Sequence, residues 1–258
     1  MRGLYAVYRK ELGHYFVSPI AYVVVGLFLA LSALFFNSMV TAVVQQAAQA
    51  QMEGMGGPMD MSGEVFRAFF ELLSTLLLFF TPMLTMGIYA EEHKRGTMEL
   101  LMTSPITELQ IVLAKFLASL SLLAAMLLPT LGGVIFIYFC SAPHPSVRII
   151  LVQFLGALLL GGSLLALGAF ASSLTENQLI AAVLAFAGVL LFWVINILGT
   201  GYTGAVASVF QYLSLTQHYD DFTRGVIDTS GLIYYASFIV FFVFLTVRSV
   251  DSLRWRRA

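Results

Sequence analysis

The sequence predicts an all-α integral membrane protein with six transmembrane helices, and three observations carry that prediction. The chain is 59% hydrophobic and 10% charged, with 22 Phe among 258 residues, more apolar surface than one soluble core can hide. Six charge-poor stretches reach the roughly 20 residues of helix that a hydrocarbon core of about 30 Å requires. Lysine and arginine are distributed lopsidedly between the segments that join them. The single cysteine, Cys140, excludes an intrachain disulfide and a multi-cysteine metal site.

Residues 1–19 read as an amphipathic helix. Leu4, Tyr5, Tyr8, Leu12, Tyr15 and Phe16 fall on one side, and Arg9, Lys10 and His14 fall largely on the other. Aromatic rings suit the headgroup zone and cations suit anionic lipid, so this helix is expected to lie flat on the inner surface. An ordinary basic tail would also satisfy the positive-inside rule. Ser18-Pro19 ends the helix, because the residue before a proline avoids the helical region. No small-residue cleavage site follows the long apolar stretch, so the start is expected to be retained.

A transmembrane domain is expected over residues 20–248, with spans near Ile20–Val40, Phe70–Tyr89, Phe116–Phe139, Ile149–Leu174, Leu179–Leu198 and Leu232–Arg248. Arg2, Arg9, Lys10, Lys94, Arg95, Lys115, Arg248, Arg254, Arg256 and Arg257 fall on one side, against Arg67, Arg148 and Arg224 on the other. That imbalance places both termini, including a basic tail at 249–258, in the cytoplasm. Outer loops are then expected at 41–69, 140–148 and 199–231.

The first outer loop begins Ala/Gln-rich and helix-compatible, then breaks at Gly54, Gly56, Gly57 and Pro58. Met52, Met55, Met59 and Met61 make its tip either a flexible apolar turn or a set of thioethers for a soft ion such as Cu(I), with no nearby Cys or His to support the latter. The loop at 199–231 is long and aromatic, which suggests short re-entrant helices covered by protein. "ASSLTENQ" forces a hairpin between spans four and five, with Thr175 or Asn177 as a cap. Gly156, Gly161, Gly162 and Gly168 in span four allow close helix contacts, within or between subunits. Trp193 and Asn196 in span five either line a cavity or serve as an interfacial anchor and an interhelical hydrogen bond. Glu71 and Lys115 are expected near membrane ends, reaching water. With no charge well inside spans three to six, an apolar cargo or a mechanical output fits better than a small-ion pump.

The stretch "YAEEHKRGTMELLMTSPITEL", residues 89–109, departs most from its surroundings. Glu91 faces Lys94 and Arg95 at i,i+3 and i,i+4 spacing, which favours a solvated continuation of span two. Gly96 ends it. Thr97 is placed to cap a short helix with Glu99 in its first turn, and Ser104-Pro105 ends that piece. Thr107 with Gln110 forms a capping box for span three, with Ile106 and Ile111 as staple. The short helix carries Met98, Leu100, Leu101 and Met102, an apolar face that either docks into a partner or lies in lipid.

"AEEHKRGTMELLMTSPIT" resembles the cytoplasmic-loop signature of type-2 ATP-binding-cassette permeases: a glutamate pair, a basic spacer, Gly-Thr, Glu, a leucine pair and Ser-Pro. Those positions are Glu91, Glu92, Gly96, Thr97, Glu99, Leu100, Leu101, Ser104 and Pro105. "YRKELGHYFVSPIAYVVVGLFL" and "LSLTQHYDDFTRGVIDTSGLIYY" are similar to the gliding-motility-type branch of that family. The resemblance implies a connecting helix at the N-terminus, a coupling loop at 90–108 with a coupling helix, and re-entrant helices between spans five and six. It implies a permease in a bacterial-type inner membrane, working as an exporter with a second permease subunit, identical or paralogous. ATP and Mg would be bound by a dimeric cytoplasmic ATPase, with Glu91 and Glu92 anchoring the loop to it by charge pairs. Membrane lipids and an extracytoplasmic protein are further expected partners, and nucleic acid is not.

Other classes fare less well. The chain contains no GxxxxGK[ST] phosphate loop, no HExxH and no GxSxG, and His14, His93, His144 and His218 all fall in tails or loops. A non-catalytic membrane subunit is expected. A nucleotide-independent channel or assembly scaffold stays open as the alternative, because spans and loops alone permit it.

Overall fold

The structure, a computed structural model, describes residues 2–52, 61–98, 106–141, 146–201 and 204–255. Helices make up nearly all of it and no strand occurs among the described residues. In chain order they are α1 (Arg2–Val17), α2 (Pro19–Met52), α3 (Met61–Thr85), α4 (Ala90–Arg95) and α5 (Glu108–Leu127), then α6 (Leu131–Cys140) and α7 (Val147–Ser173). They continue with α8 (Gln178–Gly201), α9 (Ala205–Leu213), α10 (Leu215–Thr223) and α11 (Thr229–Trp255). A 3-10 turn at Leu128–Thr130 joins α5 to α6 at Pro129, where a proline cannot continue the helical ladder.

Six helical lengths are long and apolar enough to cross a membrane: Pro19–Gln49, Gly63–Arg95, Glu108–Cys140, Val147–Ser173, Gln178–Ile195 and Thr229–Ser252. The chain is therefore an all-α integral membrane protein that crosses the bilayer several times. The first span continues past Val40 to Met52, and the second begins at Met61 instead of Phe70. Ala and Gln are strong helix formers, so the apolar boundary does not stop the helix there.

The helix α7 is the hub of the bundle, packing on α3, α5, α8, α10 and α11. Its glycines explain how so many neighbours reach it. A Cβ at Gly168 would lie 2.2 Å from the Thr85 hydroxyl oxygen, one at Gly161 would lie 2.5 Å from a Leu123 methyl, and one at Gly156 would lie 2.5 Å from Phe222 Cβ. These close approaches are within the chain, against α3, α5 and α10. Gly162 meets ordinary van der Waals contacts instead.

Two helices are only lightly covered by the rest of the bundle. In the most apolar windows of α2 and α8 the buried share is 17%, against 61% in spans two, three and four. Between spans five and six, α9 and α10 form two short helices, and α10 is tied down by Tyr219, whose hydroxyl donates to the Phe70 carbonyl at 2.8 Å. Desolvation, with Glu71 adding a smaller effect, holds the Tyr219 phenol far above its usual range.

Replacing Gly168 with Ala should lower stability by about 1–3 kcal/mol through overpacking against Thr85. Gly132→Ala, in α6 where a Cβ meets nothing within 4 Å, should leave it unchanged or raise it by up to about 1 kcal/mol. Thermal unfolding of the two purified variants in detergent measures the contrast, and equal midpoints would refute tight packing at the crossing.

Candidate functional site

The second span does not run straight out of the bundle as a continuous helix. It stops at Thr85, passes through a turn at residues 86–89, and resumes as α4. Pro82 lies in the last turn of α3 and removes one backbone donor, while Thr81 and Thr85 turn their hydroxyls back onto the Leu77 and Thr81 carbonyls at 2.7 and 2.9 Å. Such back-bonding bends helices. The continuous solvated helix expected through Arg95 is thus broken four residues before α4.

A break exposes peptide groups that must find partners away from water. Ser172 of α7 supplies three of them. Its hydroxyl oxygen accepts from the Tyr89 and Ala90 amides at 3.1 and 3.2 Å and donates to the Met86 carbonyl at 3.0 Å. Ser172 sits one turn beyond Gly168, so the glycine brings α7 close and the serine uses the approach.

The Ile88 carbonyl is taken by Lys115 of α5, whose ammonium lies 3.0 Å away. Lys115 has a side chain 1% exposed, and it pairs with Glu11 of α1 at 3.2 Å and with Glu92 of α4 at 3.0 Å. The Glu92 contact is electrostatic, since its Oε2 lacks hydrogen-bond alignment. The Tyr89 ring lies 5.4 Å from the same ammonium, within cation–π range. Lys10 approaches Glu92 and Glu11 from outside at 3.6 and 3.7 Å. One buried cation therefore joins the N-terminal helix, the loop after span two and the start of span three. Lys115 does not reach water as expected from its position near a membrane end, because two carboxylates and a carbonyl enclose it. Glu71, at the opposite end, is exposed and pairs with Arg67 at 2.9 Å.

Glu91 forms its pair with Arg95, one of the two expected partners. Gly96 closes α4 with φ 68°, a left-handed conformation that glycine adopts without strain. Thr97 turns its hydroxyl back to the Glu92 carbonyl at 3.4 Å, and the chain is helical again at Thr97 and Met98. Glu99, Leu100, Leu101, Ser104 and Pro105 lie outside the described residues. Span three then starts as expected, with the Thr107 side chain accepting from the Gln110 amide at 3.4 Å.

The inner face of α1 differs from the expected stripe. Val7 is buried and Glu11 faces Lys115, whereas Tyr5 and Phe16 are exposed. α1 packs along α5, and Tyr8 and Ser121 share a hydrogen bond at 2.9 Å. Trp193 stands on an exposed flank of α8, while its neighbour Phe192 packs against Phe238 and Phe242 of α11; the side chain of Asn196 lies outside the described residues. Of the four methionines, Met52 is exposed at the end of α2, Met61 opens α3 with its side chain outside the described residues, and Met55 and Met59 lie outside them altogether. Nothing in the local sequence pattern marks Glu11 or Ser172 as a site residue. For Lys115, the presence of a lysine seven residues after the start of α5 in an otherwise apolar helix was the available signal.

The sequence pattern of the family described as "ABC-2 family transporter protein" matches residues 5–250. The chain belongs to that family, as the membrane-embedded permease subunit of an ATP-binding-cassette transporter. A search of curated proteins gave no match.

Breaking the cluster should be costly. Lys115→Met leaves two largely covered carboxylates with only the exposed Lys10 beside them and should destabilise by ~3 kcal/mol. Combined with Glu92→Gln, the loss should fall short of the sum by on the order of 1–3 kcal/mol. Thermal unfolding of the single and double variants gives both numbers, and strict additivity would contradict the pairing.

Proposed function

We propose that this chain is the permease of an inner-membrane ATP-binding-cassette exporter, with the Lys115 cluster joining its ATPase-facing loop to the bundle. Both termini then lie in the cytoplasm, α1 acts as the connecting helix, and the loop 90–108 is the coupling loop. The observation that carries the reading is the triple contact of one buried ammonium with Glu11, Glu92 and the Ile88 carbonyl.

A cytoplasmic ATPase dimer binds Mg and ATP and grips the segment containing Gly96, Thr97, Glu99, Leu100 and Leu101. Glu91 helps anchor the loop. Glu92 turns inward, and its pairing with Lys115 supports a role in passing displacement to α1 and α5 instead of contacting the ATPase. ATP-driven closure would then tilt packed helices as a unit, a population shift driven by a ligand bound elsewhere. Hydrolysis resides in the partner.

The weakly covered faces of α2 and α8 support a second permease copy or paralogue, with lipid over the remainder. The short helices α9 and α10 are read as re-entrant, facing an extracytoplasmic partner. Sequence likeness in the N-terminal stretch and in residues 213–235 favours the gliding-motility-type branch. The cargo is read as apolar or amphipathic.

Affinity purification from the native membrane, followed by mass spectrometry and an ATPase assay, tests this reading. An ATPase should co-purify with the wild type, be lost with Leu101→Asp, and stay bound but uncoupled with Glu92→Ala. Absence of any ATPase after gentle extraction would favour a channel or scaffold.

A further inference from the structure

Two cavities adjoin the Lys115 cluster, one lined mostly by charged groups and the other mostly by apolar ones. The first is a chamber of about 250 Å³ walled by Lys10, Glu11, Glu91, Glu92, Arg95 and Lys115. The second is a smaller crevice of about 80 Å³ whose apolar walls include Ile20, Ala21, Val24, Met83 and Leu84. Glu11, His14, Gly87, Ile88 and Glu91 border both, so the crevice adjoins the chamber.

Charge and position select the occupant. The chamber wall carries three carboxylates and three cations paired with one another, Lys115 buried and Lys10 and Arg95 largely exposed, so neither a purely anionic nor a purely cationic headgroup is favoured. A zwitterion can engage both signs, donating to carboxylates through its ammonium and accepting from Lys10 or Arg95 through its phosphate. The chamber is smaller than the ~300 Å³ at which drug-sized pockets begin, which suits a headgroup and not a whole cargo molecule. The crevice borders the elbow between α1 and α2 through Ser18, Ile20 and Ala21, and Phe16, Val17 and Ile20 at that elbow are more than half exposed. Burial, with Glu11 nearby, holds the Tyr15 phenol on the crevice wall far above its usual range, so it stays neutral against a chain.

We infer that this elbow binds a zwitterionic aminophospholipid of the adjacent leaflet, with its headgroup in the chamber and the start of one acyl chain in the crevice between α1, α2 and α3. Because Glu11 and Glu92 serve both the chamber wall and the ion cluster, occupancy stabilises the junction of α1 with the loop after span two. The inference stands on the membrane fold and the cavity, independently of the ATPase.

The test uses the full chain purified alone. Protein reconstituted in nanodiscs of equal phosphatidylethanolamine and phosphatidylglycerol is transferred to mild detergent, and retained lipid is counted by native mass spectrometry. Retention of phosphatidylethanolamine at least fivefold over phosphatidylglycerol is expected. Ile20→Trp and Met83→Trp, at exposed crevice positions that a folded chain can accommodate, should abolish the preference, as should His14→Ala at the shared border. Equal retention of the two lipids, or a preference untouched by all three variants in samples with wild-type unfolding temperatures, would overturn the assignment. Neither result bears on whether an ATPase co-purifies.

Discussion

The break in the second span sets the terms for the whole end of the bundle that carries α1. Opened peptide groups in a water-poor environment cost several kcal/mol each unless they are paired. Ser172 and Lys115 pair those at Met86, Ile88, Tyr89 and Ala90. Recruiting a lysine creates a second requirement, because a buried ammonium needs opposite charge. Glu11 and Glu92 meet it, and by doing so they fix where α1 and α4 sit. A backbone defect is thereby converted into a three-way joint.

The joint depends in turn on how closely α7 can approach. Gly168 removes the side chain that would strike Thr85, and Ser172 four residues later reaches the broken turn. This is a small-residue spacing that brings membrane helices together where lipid gives no hydrophobic driving force. Helix α7 also packs closely on α5 at Gly161 and on α10 at Gly156, so the closely packed helix of the bundle lies behind the joint. The sparsely covered α2 and α8 form the periphery.

Much of this was legible from local pattern. The span count follows from apolar length, the Thr107 cap from its spacing to Gln110, the Asn177 cap from the "TENQ" hairpin, and the Glu91–Arg95 pair from helical spacing. The break was less visible, although Pro82 marked its vicinity. What sequence alone could not supply was pairing across distance. Lys115 looked like a membrane-end lysine because Glu11 lies more than a hundred positions away, and Ser172 looked like part of a hairpin turn. The loop signature pairs Glu92 with Glu91 as an outward anchor, yet neighbours on a helix point in different directions, and Glu92 turns inward toward Lys115.

Hydrogen–deuterium exchange of the purified chain, comparing wild type with Lys115→Met, tests most directly whether the buried ammonium holds α1, the turn at 86–89 and α4 as one unit. Amides across residues 2–17 and 86–95 should lose protection together, while those of α7 outside Ser172 should not. Loss confined to one of the two segments, or unchanged protection in both, would contradict that coupling.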